Sequence, residues 1–182
     1  ASSGDIEVLF LLHADELDSE QVKDAFVIYQ GSHGDAGARN ADVILPGSAY
    51  TEKNATWVNT EGRVQLGRRS VFPPGDARED WTILRALSGV MGETLPYDNL
   101  GQLRARMLEL APHFSAVDEL VAAEWGTFGA EGDVSSEPFV TPIKDYYLTN
   151  PICRASEIMA QCTAIERGED GKETGGATGT DG

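Results

Sequence analysis

The sequence predicts an α/β fold: a partial parallel, Rossmann-like sheet that another chain completes, followed by helices. Three short apolar runs carry this prediction, at residues 6–12, 26–29 and 43–45. Runs this short and this apolar are typical of strands covered on both faces, as in parallel sheets. Only short crossovers separate them, which is the order of a parallel α/β unit. Such a sheet needs more strands and helices than these 182 residues encode, so we expect another polypeptide to complete it.

The first half of the chain alternates these strands with polar crossovers. A short acidic helix is expected over residues 15–25. Its inward-facing residues are expected to be Leu17, Val22 and Ala25. A glycine-rich turn follows over residues 31–37, and residues 38–42 suffice for one helical turn. Pro46 ends the third strand, because proline cannot donate to a sheet ladder.

A small hairpin is expected after the third strand. Residues 56–59 and 64–66 are strand-like, and the polar residues 60–63, which include Gly62, separate them. An extended connector follows over residues 68–75.

The second half predicts mainly helices. Residues 81–91 have apolar positions at helical spacing, and the acidic residues 76–80 before them suit a helix N-terminus. A second helix is expected over residues 98–111, capped by Asp98 or Asn99 and closed before Pro112. Three further elements are expected: a short helix from Phe114 to Glu124, a strand over residues 146–148, and a last helix from Pro151 to Cys162.

The domain boundaries follow from composition. Residues 1–163 are expected to form part of one domain, with residues 126–142 as a surface linker inside it. Residues 164–182 are acidic and rich in glycine, and from Glu166 onward they contain no aromatic or large aliphatic residue. They are predicted to be a disordered tail.

Charge and cysteine content exclude several classes of partner and site. The net charge of −16 repels phosphate backbones and anionic lipid head groups, so no nucleic acid is expected to bind. Cys153 and Cys162 lie nine residues apart with no histidine near, so this chain alone holds no iron–sulfur or zinc site, and both are expected to be free thiols. No apolar run reaches the length of a membrane span, so no direct membrane insertion is expected. The first residues lack the basic flank of a signal or transit peptide.

Polar side chains collect where the predicted strands end. In parallel α/β sheets, ligands bind beyond the carboxyl ends of the strands. Those ends are residues 13–15, 31–35 and 46–50. The glycine-rich GSHGDAG segment could approach a nucleotide or pterin phosphate, but it has neither the GxGxxG nor the P-loop spacing, so tight-turn geometry is the simpler interpretation.

Two histidines at these ends have a nearby aspartate. His33 with Asp35, and His13 with Asp15, could each orient an imidazole for proton transfer. Ser32 and Ser48 suggest a catalytic triad, but neither lies in a GxSxG nucleophile elbow. The simpler interpretation is that these side chains cap strand ends and bind loop amides.

The densest polar segment follows the third strand. Six donor or acceptor side chains lie within twelve residues: Glu52, Lys53, Thr56, Asn59, Glu61 and Arg63. They could satisfy the buried backbone groups of their own loop, or they could hold a polar cofactor. Composition does not choose between the two.

The same segment carries a family resemblance. ADVILPGSAYTEKNATWVNTEGRVQ (41–65) resembles a segment of molybdopterin-type oxidoreductases. Together with YQGSHGDAGARNADVILP and PPGDAREDWTILRALS, it more closely resembles the large iron–sulfur subunit of NADH:quinone oxidoreductase, respiratory complex I. DYYLTNPICRASEIMAQC resembles the end of that subunit in mitochondria and their bacterial relatives. The resemblance covers about residues 6–163.

The resemblance implies a role within an electron-transfer complex. The fold implied is the C-terminal part of a molybdopterin-oxidoreductase-like domain, which in this family is taken to be a scaffold without its cofactor. The cluster-binding cysteines of the family are not present in this chain, and Asn54-Ala55 stands where molybdopterin enzymes more often have glycine. The Cβ of Ala55 restricts backbone approach to a ligand. We therefore expect no catalytic, cofactor-binding or metal-binding residue here.

The resemblance also implies the surroundings. FMN, 2Fe-2S and 4Fe-4S clusters are expected in partner chains. The expected partners are the cluster-bearing N-terminal half of the same subunit, as a separate chain, and other peripheral-arm subunits. The expected place is the matrix side of the mitochondrial inner membrane, or the cytoplasmic face of a bacterial inner membrane. Two alternatives remain open: a fragment of an active molybdopterin- or tungstopterin-dependent oxidoreductase, and a free nucleotide-binding module.

Overall fold

The computed structural model of the chain describes residues 5–16, 19–22, 24–34, 36–122 and 124–169. The chain divides into two compact units, Ala1–Phe128 and Gly129–Gly182. Each is described by itself below.

The first unit begins with a three-stranded parallel sheet. Its strands are β1 (Val8–Leu12), β2 (Phe26–Gly31) and β3 (Val43–Pro46), in the order β1-β2-β3. Val8 pairs with Phe26 and Ile28 pairs with Val43, both in parallel register. The predicted parallel sheet is therefore confirmed, with strand ends shifted by one or two residues.

One face of this sheet is packed. Leu11, Val27 and Tyr29 are buried there together with Val22. Val22 belongs to α1 (Ser19–Val22), and α2 (Ala36–Arg39) precedes β3. The helix predicted over residues 15–25 is four residues long within the described part of the chain, and Leu17 lies outside that part.

The opposite face of the sheet is open. Side chains alternate along a strand, so the residues next to the packed ones point the other way. On this open face Val8 is 58% exposed and Phe26 48% exposed, and Leu12 and Val43 are exposed as well. Among the described residues the strands are thus covered on one face, whereas the sequence predicted cover on both.

The predicted hairpin is confirmed. A short 3₁₀ helix (Tyr50–Glu52) leads into β4 (Ala55–Val58), which pairs with β5 (Val64–Gly67) in antiparallel register. The turn between them contains Gly62 at φ +83°, a left-handed conformation that glycine adopts without strain.

Two longer helices follow. Helix α3 spans Asp80–Val90 and α4 spans Leu100–Leu110, close to the predicted ranges. Asn99 is the N-cap of α4, since its side chain accepts a hydrogen bond from the Gln102 amide at 3.0 Å. One of the two predicted caps is thereby confirmed.

The helix predicted from Phe114 to Glu124 is wrong. A 3₁₀ helix (Pro112–Ser115) stands at its start, and no helix follows in the described residues up to Glu124. Asp118 has φ +61°, and its amide donates to the Val64 carbonyl at 2.7 Å. This contact with β5 holds the chain in a conformation that a helix cannot contain.

The second unit differs from the sequence prediction in two places. The strand expected over residues 146–148 is instead a turn, in which Asp145 Oδ1 accepts from the amides of Tyr147 (2.8 Å) and Leu148 (2.7 Å). The last helix is two helices, α5 (Pro151–Arg154) and α6 (Glu157–Glu166), because Ser156 caps the start of the second one.

Helix α6 also runs into the predicted tail. Residues 164–166, placed in the tail by composition, are helical, and residues 170–182 lie outside the described part of the chain. Cys153 and Cys162 are free thiols, as predicted. No helix in the described ranges has the length and apolar character needed to cross a bilayer.

Candidate functional site

The candidate site lies at the carboxyl ends of the three parallel strands. His13 follows β1, Gln30 lies near the end of β2, and Gly47 follows β3. The start of α3 is brought to the same place, since the Arg78 amide donates to the Pro46 carbonyl at 3.0 Å and Gly47 pairs with Arg78. Asp80, the first residue of α3, therefore faces the strand ends.

Asp80 is the centre of a cluster of four polar side chains. Its Oδ1 lies 2.8 Å from His13 Nε2 and accepts from Gln30 Nε2 at 3.1 Å, and its Oδ2 accepts from Lys53 Nζ. An ionised carboxylate can only accept, so Nε2 of His13 carries the hydrogen. We call these four residues the Asp80 cluster.

The Asp80 cluster is largely shielded from water. The side chains of Asp80 and Lys53 are 19% and 12% exposed. Burial raises the pKa of Asp80, but hydrogen bonds from His13, Lys53 and Gln30 together outweigh it, and the pKa of this carboxyl lies well below its usual range. The cluster therefore stabilises the fold at neutral pH. That contribution is lost only as the pH falls below the ordinary aspartate pKa of about 3.9 toward the lower folded value.

Gly47 is the position at which the backbone approaches this carboxylate. A Cβ built there would lie 2.6 Å from Asp80 Oδ1, closer than real Cβ contacts come. A side chain at residue 47 and the observed position of Asp80 exclude each other.

The predicted serine and histidine pairs do not form a triad. His13 binds Asp80, and His33 Nδ1 lies 2.9 Å from Ser32 Oγ. Asp35 lies outside the described residues. Ser48 is fully buried, and its Oγ has no hydrogen-bond partner among the described residues. No described base activates Ser48, so the geometry does not support acyl transfer.

The polar segment after β3 satisfies its own backbone. Glu52 Oε2 accepts from the Ala49 amide at 2.9 Å, and Asn59 Oδ1 accepts from the amides of Glu61 (3.1 Å) and Arg63 (3.0 Å). Arg63 Nη1 donates to the Asp118 carbonyl at 3.1 Å. Of the six side chains singled out from the sequence, Glu52, Asn59 and Arg63 thus bind backbone groups of the protein itself, and Lys53 binds Asp80.

A cavity of about 280 Å³ lies beside the cluster. It is enclosed by β4 and the starts of α3 and α4, and Thr56 is in its wall. Its apolar side consists of Trp57, Trp81, Leu100, Leu103 and Met107, and its polar side includes Lys53, Asn54, Asp80 and Arg104. The Arg104 Nε is buried with no partner in the described part of the chain.

The donors at the strand ends do not fit an anionic, phosphate-bearing pterin. Lys53, His13 and Gln30 each direct a donor at the Asp80 carboxylate, so an incoming phosphate would meet a negative charge whose donors are already engaged. Within the described residues, no three His, Cys, Asp or Glu side chains lie close enough to hold a metal ion.

Two family models match the chain. Residues 1–90 match molybdopterin oxidoreductase, and residues 110–162 match the C-terminal domain of NADH-ubiquinone oxidoreductase G. The first match contains the Asp80 cluster and the hairpin, and the second contains the turn at Asp145 and α5.

Curated proteins of the same kind are similar to the chain. The NADH-ubiquinone oxidoreductase 75 kDa subunit of Reclinomonas americana is 46% identical over 160 residues, which are 86% of this chain and 23% of that protein. The mitochondrial 78 kDa subunits of Candida albicans and Neurospora crassa are 47% and 44% identical, over 90% and 89% of this chain and 25% and 23% of theirs. The chain thus spans about a quarter of the length of these relatives.

Proposed function

The chain belongs to the family of the large 75/78 kDa subunits of NADH-ubiquinone oxidoreductase, and we propose that it is a structural part of the peripheral arm of respiratory complex I. In this proposal the complex transfers electrons from NADH through FMN and iron–sulfur clusters to ubiquinone, coupled to proton pumping. FMN and the 2Fe-2S and 4Fe-4S clusters belong to partner chains, and this chain itself binds none.

The Asp80 cluster is the observation that carries the structural role. At the sheet edge where α/β proteins bind ligands, the cation Lys53 and the donors of His13 and Gln30 are bound to an internal carboxylate. Side chains held in this way fix the positions of β1, β2 and α3 relative to one another. We therefore assign them to the architecture of the subunit rather than to a reaction.

The open face of the sheet supports the proposed partner. Val8, Phe26 and Val43 expose apolar surface there, and burial of such surface stabilises association by about 25 cal/mol per Å². We propose that the cluster-bearing N-terminal half of the subunit, as a separate chain, covers this face and completes the sheet. Other peripheral-arm subunits are the further partners.

The proposed location is the matrix side of the mitochondrial inner membrane. Two of the relatives are named as mitochondrial. A bacterial inner membrane, with the same complex on its cytoplasmic face, is the alternative location.

Two substitutions test whether the role is structural. Glu52→Ala and Arg63→Ala each leave a backbone group without its partner, at about 1–3 kcal/mol each. Changes of this size alter abundance several-fold. We expect less assembled complex with unchanged NADH–ubiquinone turnover per flavin, measured on native gels and by flavin content.

Glu61→Ala is the matched control, because the Glu61 carboxylate is exposed and lies 3.7 Å from Arg63 Nε. It should leave the amount of complex unchanged. Normal assembly with a tenfold lower turnover per flavin in the Glu52 or Arg63 variant would contradict the structural assignment.

The alternative function is that of a fragment of a molybdopterin-dependent oxidoreductase. The match of residues 1–90 to that family is the observation in its favour. Metal analysis of the purified assembly separates the two proposals. Molybdenum or tungsten in stoichiometric amount would support the alternative and overturn the first proposal.

A further inference from the structure

Residues 119–143 form an extended segment, which we call the acidic strap. Its described residues, 119–122 and 124–143, contain no helix or strand. They also form no backbone–backbone hydrogen bond with the rest of the described chain. The local contacts are side-chain turns, as in the Glu137 amide donating to Ser135 Oγ at 3.1 Å. The backbone of the strap is therefore available to a partner.

The strap carries charge of one sign. Its ionisable residues are Glu119, Glu124, Glu131, Asp133 and Glu137, and it contains no Lys, Arg or His. Indeed no Lys or Arg occurs between Arg106 and Lys144. A surface that binds this strap must supply the opposite charge, because like charges across an interface are repelled.

The strap also exposes large apolar side chains. Trp125 is 88% exposed and Phe139 is fully exposed at 109%, and Phe128 and Val134 are exposed too. Trp125 and Phe128 have ring centroids 5.6 Å apart, so they form one aromatic pair. A single exposed leucine is normal on a protein, but several large apolar groups on an unpaired backbone mark an interaction site. Aromatic residues are the usual anchors of such sites.

Both ends of the strap are held by ordered contacts. Just before it, the Asp118 amide donates to the Val64 carbonyl at 2.7 Å, and Arg63 donates to the Asp118 carbonyl. Just after it, Asp145 accepts from the amides of Tyr147 and Leu148 and from Thr163 Oγ1. A segment tethered at both ends loses less conformational entropy on binding than a free tail would.

We propose that the acidic strap docks in extended form on a neighbouring subunit of the assembly. The docking surface is a groove with apolar pockets for Trp125, Phe128 and Phe139 and a rim of lysine and arginine. Extended peptides bind in this way, with main-chain hydrogen bonds giving affinity and side-chain pockets giving specificity. This proposal rests on the proposed function, since it requires the complex as the source of the partner.

Photo-crosslinking in the assembled complex tests the proposal. The photoreactive residue p-benzoylphenylalanine is placed at residue 128 or residue 139, and the crosslinked peptides are identified by mass spectrometry. Ser136, an exposed polar residue of the same strap, is the matched control position. We expect residues 128 and 139 to crosslink to one neighbouring subunit, at peptides rich in Lys and Arg, about tenfold more than residue 136 does.

Salt dependence gives a second, independent readout. Neutralising the strap in a Glu131→Gln, Asp133→Asn, Glu137→Gln triple variant should weaken its retention. It should also flatten the dependence on KCl, because screened charge pairs contribute less at high salt. A Trp125→Ala, Phe128→Ala variant should lower retention about tenfold while keeping the salt dependence.

The outcomes separate the two proposals. If the chain is present in active complex but residues 128 and 139 crosslink only within this chain, or no more than residue 136 does, the docking proposal is overturned and the proposed function stands. If the chain is absent from the complex, the proposed function itself fails.

Discussion

Asp80 shows how a single carboxylate can decide what a strand-end site does. Its two oxygens take donors from β2, from the residue after β1, and from the segment after β3. The sequence offered one signal for it, an acid at the start of a helix, which the helix dipole already explained. Its partners lie 27 to 67 residues away along the chain. No local pattern could have assigned them.

Removing this carboxylate should loosen the strand ends. Asp80→Ala leaves the ammonium of Lys53, which is 12% exposed, without a counter-charge, and we expect a loss of about 3 kcal/mol. Hydrogen exchange on the assembled complex should show faster exchange at the amides of Gly47 and Arg78, which bond to β2 and β3.

Two further variants make that measurement specific. Asp76→Ala removes an exposed aspartate four residues earlier and should change stability by less than about 0.5 kcal/mol. Lys53→Met combined with Asp80→Ala should recover part of the loss, because the unpaired buried charge is gone. Equal exchange in the Asp80→Ala variant and the unchanged protein would show that the cluster does not hold the strand ends.

At the scale of elements, local chemistry predicted what local contacts decide. The three strands, the hairpin and the Asn99 cap were recognised because apolar periodicity and turn residues act over a few positions. The helix expected from Phe114 failed because Asp118 binds the distant Val64. The strand expected at residues 146–148 failed because Asp145 binds the amides two and three positions on. In both failures a side chain or a distant carbonyl offered the backbone a competing partner.

The hairpin turn depends on one left-handed residue. Gly62 has φ +83° with nothing within 4 Å of an added Cβ, so Gly62→Ala is penalised by conformation and not by collision. We expect a cost of about 1 kcal/mol, seen as faster hydrogen exchange at the β4 and β5 amides.

Gly89→Ala is the matched comparison for that turn. Gly89 lies inside α3 with ordinary contacts, where alanine is favoured over glycine by about 1 kcal/mol, so this variant should be neutral or stabilising. The same sign of change in both variants would mean that the left-handed turn does not control the hairpin.

At the scale of the whole molecule, the packed and open faces of one sheet differ in what completes them. The packed face is closed by Leu11, Val27 and Tyr29 with α1. The open face has no cover among the described residues, although its side chains are equally apolar. The sequence predicted two covered faces because its runs are apolar at successive positions. It could not tell which cover lies within the chain.

The open face leads to a prediction about the purified chain. Complete domains melt with an enthalpy of about 0.7 kcal/mol per residue near 60 °C. A sheet with one bare face lacks the contacts that give this value, so calorimetry on the isolated chain should show a broad transition with a much smaller enthalpy. A Val8→Thr, Phe26→Thr variant separates the causes, because both side chains are exposed in the isolated chain and should be covered in the assembly. It should leave the melting of the isolated chain unchanged and reduce the amount of assembled complex. A sharp, cooperative transition of full enthalpy in the isolated chain would mean that the open face needs no partner.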